Sequence, residues 1–285
     1  MNYHYPSAYD IYPDRNQKSY RWKRLRFNIR SLWHAKYIKK FTAFANQQPE
    51  LATFLNSRAN YSYPLVHRFL DKRWNAEQRL TAICDNLTFL TQKFATQQLT
   101  PLLQQKICFG EVAEDFAIYL NINEQQPMEG FWALELRQQS TQSLIYLLTF
   151  GKVADDLLIA AIQGTNTENG KDIIKQLTKQ CHGLRPAYLM VEVMRLLTQA
   201  LGYKQLLGIP HKYQNKSRLI QSKRYFVDYD TIFRESGGYL TKYWQLPLTI
   251  DKDLTHIASK KRSMYRKRFA MLEQLAQQIN TLFAN

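Results

Sequence analysis

Long apolar runs are missing from this chain. Nowhere in its 285 residues do about 18 uninterrupted apolar side chains occur, the length a helix needs to cross a bilayer. The opening segment, MNYHYPSAYDIYPDR, lacks the basic start, apolar run and small-residue cleavage site of a secretory leader. A soluble protein that stays in the cytoplasm is therefore expected. Cysteine is scarce as well: Cys84, Cys108 and Cys181 are odd in number and widely spaced, which argues against a disulfide framework or a zinc site. Buried, unpaired thiols are expected instead. No internal repeat, low-complexity tract or Gly/Ser linker marks a boundary.

Acid is the other shortage. Asp and Glu number 23 against 39 Lys and Arg, so the net charge is +16, and the excess is gathered in three clusters. The first runs from Lys18 through Arg21, Lys23, Arg24 and Arg26 to Arg30, Lys36, Lys39 and Lys40. The second is Lys212, Lys216, Arg218, Lys223 and Arg224. The third is Lys260, Lys261 and Arg262 followed by Arg266, Lys267 and Arg268. Such clusters concentrate anionic partners, and the partner classes they leave open are a coenzyme's phosphates, an acidic carrier protein and anionic lipid. Nucleic acid ranks below these, because the chain has no C2H2 spacing, no RNP-type aromatic motif and no clear helix-turn-helix. Adsorption at the inner membrane through a basic helix face is the variant of the cytoplasmic assignment that the charge allows.

Residues 131–137 (FWALELR), 143–152 (SLIYLLTFGK) and 157–164 (LLIAAIQG) suit a pleated, buried surface, and short connections between them predict an antiparallel meander. Leu184, Tyr188, Val191, Leu197 and Leu201 then recur at threes and fours up to Gly202, the pattern of a helix that packs on that sheet and stops at a glycine. Residues 203–209 read as a further short strand. Upstream, residues 35–46, 50–56 and 75–95 read as helices, and 107–112 as a strand within a stretch ambiguous between strand pair and helix. A final amphipathic helix with a basic flank is expected over 259–283. The expected class is α+β: an antiparallel sheet packed by helices, with a helical N-terminal region over 1–125 and an α+β domain over 126–285.

The C-terminal two thirds resemble the VirK/YbjX family of bacterial proteins. The likeness rests on Glu129-Gly130-Phe131-Trp132, Ile162-Gln163-Gly164, His182-Gly183-Leu184-Arg185-Pro186 and Gly208-Ile209-Pro210-His211. Downstream it continues through Asp228-Tyr229-Asp230, Glu235, Gly237-Gly238, Leu246-Pro247 and the basic run that starts at Ser259. The resemblance implies a role in virulence and in tolerance of host antimicrobial peptides in Gram-negative bacteria.

The order of antiparallel strands, a helix opening at a glycine turn and a following strand is also similar to the core of the GNAT acyltransferases. That likeness implies acyl-CoA or acyl-carrier protein as donor, with its phosphates on amide donors at the helix start, where the helix dipole favours negative charge. Gln163, Gly164, Gly183 and Arg185 are then the candidate cofactor-binding residues. The superfamily's usual Gly-rich turn is absent: Gln163-Gly164 runs into TNTENGKDIIKQLTKQC, long enough for an extra helix. Acyl transfer needs a general base and an acid, and Glu129, His182, Asp228 and Glu235 are the candidates, with Asp230 beside them. Each has an ordinary alternative: a turn for Glu129, a helix cap for His182, ion pairs for the two aspartates. Lys260, Lys261, Arg262 and Arg266 are the candidate anion contacts on the terminal helix.

Overall fold

The computed structural model describes residues 2–14, 19–93, 104–164, 170–215 and 228–283. Lys216, Arg218, Lys223 and Arg224, most of the second basic cluster, lie outside these residues. Among the described residues, five α-helices precede the sheet: α1 (Ala8–Ile11), α2 (Arg21–Trp33), α3 (Ala35–Asn46), α4 (Pro49–Ser57) and α5 (Ala76–Lys93). Then come β1 (Ile107–Ala113), β2 (Phe116–Ile122), β3 (Trp132–Gln138), β4 (Leu144–Val153) and β5 (Asp156–Gly164), followed by α6 (Gly170–Gln180) and α7 (Pro186–Ala200). The described chain ends with β6 (Leu206–Gly208), α8 (Tyr229–Glu235), β7 (Tyr239–Leu240), β8 (Trp244–Leu246) and α9 (Ser259–Phe283).

The strands form one eight-stranded sheet in the order β1-β2-β3-β4-β5-β6-β8-β7. From β1 to β5 it is the expected antiparallel meander. β6 then joins β5 in parallel, which requires the crossover that α6 and α7 supply. That ladder is short: Leu157, Leu158 and Ile159 pair with Leu206, Leu207 and Gly208, and one further bond runs from the Ile209 amide to the Ile159 carbonyl. β5 continues to Gly164 whereas β6 ends at Gly208, so their pairing stops at Ile159.

Consecutive positions of β2, β3 and β5 are buried, so helices or loops cover both faces of the sheet. α7 packs across β3, β4 and β5, α9 lies against α7 and the edge strand β1, and α5 packs on β4. Asn86 fixes the last contact: its amide donates to the Lys152 carbonyl and its Oδ1 accepts from the Lys152 amide, while the Trp132 indole donates to the Asn86 carbonyl. A single buried cluster runs from Tyr3, Phe41 and Leu55 through the sheet to Leu272 and Ile279. The boundary expected near residue 125 falls between β2 and β3, whose register is unbroken from Phe116↔Gln138 to Ile122↔Trp132.

The stretch left ambiguous between helix and strand pair is a hairpin. It reverses at Glu114–Asp115, where Asp115 takes a positive φ of 66° and its carboxylate accepts from the Ser140 amide and hydroxyl and from Gln138. The cysteines are free, as expected, but not all buried: Cys181 is buried, Cys84 half-buried and Cys108 exposed on the edge strand β1, where alternate side chains face out. Burial pushes the Cys84 thiol up to about 12 and the Cys181 thiol up to about 11. No helix among the described residues is long and apolar enough to cross a membrane.

Candidate functional site

The corner between α6 and α7 is built by a Schellman-type reversal. The Gly183 amide donates to the Thr178 carbonyl and the His182 amide to the Lys179 carbonyl, with His182 (φ 54°) and Gly183 (φ 78°) both in the left-handed region. His182 thus stands where glycine is commoner, and the ordinary reading of it as a helix cap is part of its role. The Arg268 guanidinium, from α9, donates to the His182 carbonyl at 2.9 and 3.3 Å. α7 then opens with Arg185 extended at its N-cap and Pro186 in the first helical position, where a missing N–H costs nothing.

Beside this corner α6 and α9 enclose an open groove of about 730 Å³, whose lining includes Lys175, Lys179, His182, Gly183, Lys260 and Lys267. Four lysines line it and no carboxylate does. Their flexible stems leave the ammonium groups in water, so the groove is a concentration of positive charge rather than a rigid cage. The His182 imidazole is held below its ordinary pKa, first by partial burial and then by repulsion from Lys267 and Arg268. α9 begins here with basic residues and no acid in its first turn, against the helix dipole, so a bound anion relieves repulsion there. Of the nominated anion contacts only Lys260 lines the groove. Arg262 is turned back to the Ile257 and Thr255 carbonyls, while Lys261 and Arg266 are exposed outside the groove lining. Lys267, on the same helix, was not singled out because charge spacing alone does not tell which turn faces α6.

Gly183 itself is not an open cradle. A Cβ there would meet the Met264 sulfur at 3.2 Å and an Arg268 nitrogen at 3.3 Å, so α9 covers that side of the turn. Gly183 nevertheless lines the lysine groove beside it.

Glu129 lies elsewhere, at the end of β5. It ends a 3-10 turn, Pro127–Glu129, and is only 1% exposed; its carboxylate accepts from the Gln163 side chain at 3.0 Å and the Gln214 side chain at 2.8 Å. Gln163 is thereby engaged in holding Glu129. The neighbouring Asn215 amide reaches the Met128 and Leu70 carbonyls, so the loop after β6, the turn before β3 and the N-terminal region are sewn together beyond the end of the β5–β6 ladder. Gly164, at the end of β5, is exposed and sits against the Tyr146 ring.

A third group gathers around the first turn of α7. The Tyr188 hydroxyl donates a hydrogen bond to Glu235, and Arg185, Asp228 and Glu235 all act on Tyr188 electrostatically. Partial burial, then the bond to Glu235, pushes the Tyr188 phenol up to about 12. Asp228 caps α8, accepting from the Thr231 amide at 3.2 Å and hydroxyl at 2.6 Å, and these bonds hold its carboxyl below the usual range. Asp230 accepts from the His211 amide and the Trp244 indole. Neither aspartate has an ion pair among the described residues. Tyr188 was read from the sequence as a face residue of the helix; its place three residues after Arg185 was the one signal of another role.

The fold and the site together define an α+β protein whose mixed sheet, with a short parallel ladder between β5 and β6, is flanked by a cationic groove at the crossover corner. The chain belongs to the family described as protein of unknown function DUF535, whose model matches residues 16–281. It is 55% identical over 277 residues, 97% of this chain and 94% of the relative, to an uncharacterized protein of Haemophilus influenzae. A Mannheimia haemolytica protein named membrane protein LapB is 60% identical over 215 residues, 75% of this chain and 95% of its own. The uncharacterized protein YbjX of Escherichia coli is 25% identical over 278 residues, 91% of this chain and 83% of its own, which bears out the YbjX part of the family likeness. No solved structure matches the chain.

Proposed function

We propose that this protein transfers an acyl group from acyl-CoA or acyl-carrier protein to an envelope-related amine or alcohol. The observation that supports the reading is the parallel β5–β6 crossover, whose ladder is only three residues long, with the start of α7 and the lysine groove at the same crossover. It is the element order of the GNAT likeness, and ligands of open sheets with crossover helices bind where the strands' carboxyl ends diverge. Lys175, Lys179, Lys260 and Lys267 receive the donor's phosphates. Tyr188 and Glu235 serve the chemistry: Glu235 takes the proton of the attacking N–H or O–H, a C–N or C–O bond forms as the thioester C–S bond breaks, and Tyr188, protonated at neutral pH, gives its proton to the leaving thiolate. The Tyr188–Glu235 hydrogen bond returns the proton. Glu129, buried and bonded to two glutamines, organises the strand ends rather than meeting substrate. The envelope-related acceptor, the virulence link and peptide tolerance come from the VirK/YbjX likeness.

A second reading, non-catalytic capture of an anionic lipid or other envelope component, is favoured by the groove's lack of any carboxylate. Thermal-shift measurements separate the two. Stabilisation by acyl-CoA or acyl-carrier protein supports the transferase; no shift with either, alongside binding of anionic vesicles that K260E/K267E abolishes, supports the second reading and removes the first.

A further inference from the structure

The face that α2 turns outward is apolar. The helix is held to the protein by Phe27, 2% exposed, and by Arg24, 7% exposed, which pairs with Asp14 and lies over the Tyr9 ring at 4.2 Å. On the other side Trp22 (75% exposed), Leu25 (47%), Ile29 (43%), Leu32 (76%) and Trp33 (80%) project into solvent. Their spacing at threes, fours and sevens puts all five on one stripe, about 16 Å long at 1.5 Å per residue. They are five of the eight large apolar side chains that are exposed among the described residues, so the exposure is concentrated and not scattered.

Charge decides what the stripe fits. Between Asp14 and Glu50 the chain carries ten Lys or Arg and no acid. Arg21, Lys23 and Arg26 on α2 and Lys36, Lys39 and Lys40 on α3 are exposed. Lysine is depleted where proteins bind one another, whereas a short helix with Trp at both ends, aliphatics between and cations at its flanks suits the headgroup layer of an anionic bilayer. At 13 residues the helix is about 20 Å long and can lie in that layer but cannot span it.

We infer that α2 docks this protein on the surface of an anionic lipid bilayer, with Trp22, Leu25, Ile29, Leu32 and Trp33 inserted among the headgroups and the flanking cations on the lipid phosphates. This rests on α2 alone and is independent of the transferase reading. The test uses the full chain with vesicles of phosphatidylcholine containing or lacking about one third phosphatidylglycerol, read by co-sedimentation and by quenching of tryptophan with brominated lipid. The other three tryptophans are not exposed, so quenching reports Trp22 and Trp33. Wild type binds the anionic vesicles and is quenched. W22S/L32S/W33S, altered only at exposed positions, keeps the wild-type melting temperature and binds at least tenfold more weakly, as does K23E/R26E. The inference is overturned if wild type ignores anionic vesicles or if the serine variant binds them as well as wild type. It is equally overturned if the variant changes only the oligomeric state, which would make the stripe a protein interface.

Discussion

Gly130 has a φ of 102°, and a Cβ there would fall 2.2 Å from the Phe150 carbonyl oxygen on β4. Backbone strain and a backbone clash act together, so G130A lowers unfolding free energy by about 3 kcal/mol or more, seen as a reduced urea midpoint with unchanged slope. Its neighbour Glu129 tests a different term. E129A leaves the Gln163 and Gln214 side chains without their buried acceptor and costs about 1–3 kcal/mol, whereas E129Q keeps an acceptor and costs less. At His182 the effect is one of pH. Burial holds His182 and His34 below the ordinary value, so as pH falls below about 6.5 the unfolded chain takes up protons that the folded chain resists. Stability therefore falls with acid in that window, and H182Q shallows the slope of unfolding midpoint against pH. A bound anion works the other way, since it favours the imidazolium, so anion affinity rises as pH drops through the same range. For the chemistry, Y188F removes the proposed proton donor: turnover drops by about a hundredfold or more while donor binding is kept. At this scale the sequence was a partial guide. His182-Gly183 was legible as a chain reversal, but Tyr188 was hidden because its partner, Glu235, is 47 residues away and comes near only through the fold.

Helices and strands with a long, regular pattern could be read directly. The β3–β4–β5 meander follows from three apolar segments on short loops. α7 ends as its pattern predicts, with Gly202 at a φ of 74° and the Tyr203 amide bonded to the Thr198 carbonyl. The α6 insertion was visible as excess length. The β1–β2 hairpin was legible only in part: 107–112 was read as a strand and is one, but the strand pair stayed one of two alternatives, because the reversal carries no glycine or asparagine and depends on Asp115 meeting Ser140 across the sheet. β7, two residues long, carries no periodicity at all. The basic flank of α9 was read from sequence, but which of its turns faces α6 was not. K260E/K267E tests that placement: both side chains are exposed, so the melting temperature moves little, yet anion affinity falls at least tenfold. K261E/R266E, equal in charge but outside the groove lining, has a smaller effect that vanishes with added salt.

For the whole molecule, one continuous core joins α3, α4 and α5 to the sheet and to α9, while Ala8, Ile11 and Phe27 of α1 and α2 form a second, smaller cluster with Val66. A chain beginning near residue 126 loses β1, β2 and the helices that cover them, exposes the β3 edge, and is expected to aggregate rather than fold. Among the described residues the excess charge gathers on two surfaces, the lysine groove at the α6–α7 corner and the apolar, cation-flanked face of α2, for which different partners are proposed. The cations of α2 and, in the groove, Lys260 and Lys267 were visible in sequence as basic clusters, whereas Lys175 and Lys179 were not; only the fold shows that on α2 the apolar residues turn outward and in the groove the lysines converge. The central claim is that the groove receives the phosphates of an acyl donor, and equilibrium titration of the full chain with acyl-CoA tests it most directly. Saturable binding, weakened at least tenfold in K260E/K267E and strengthened as acid protonates His182, whose folded value lies below the ordinary imidazole range, is the predicted result. Absence of binding, or equal affinity in wild type and variant, would contradict it.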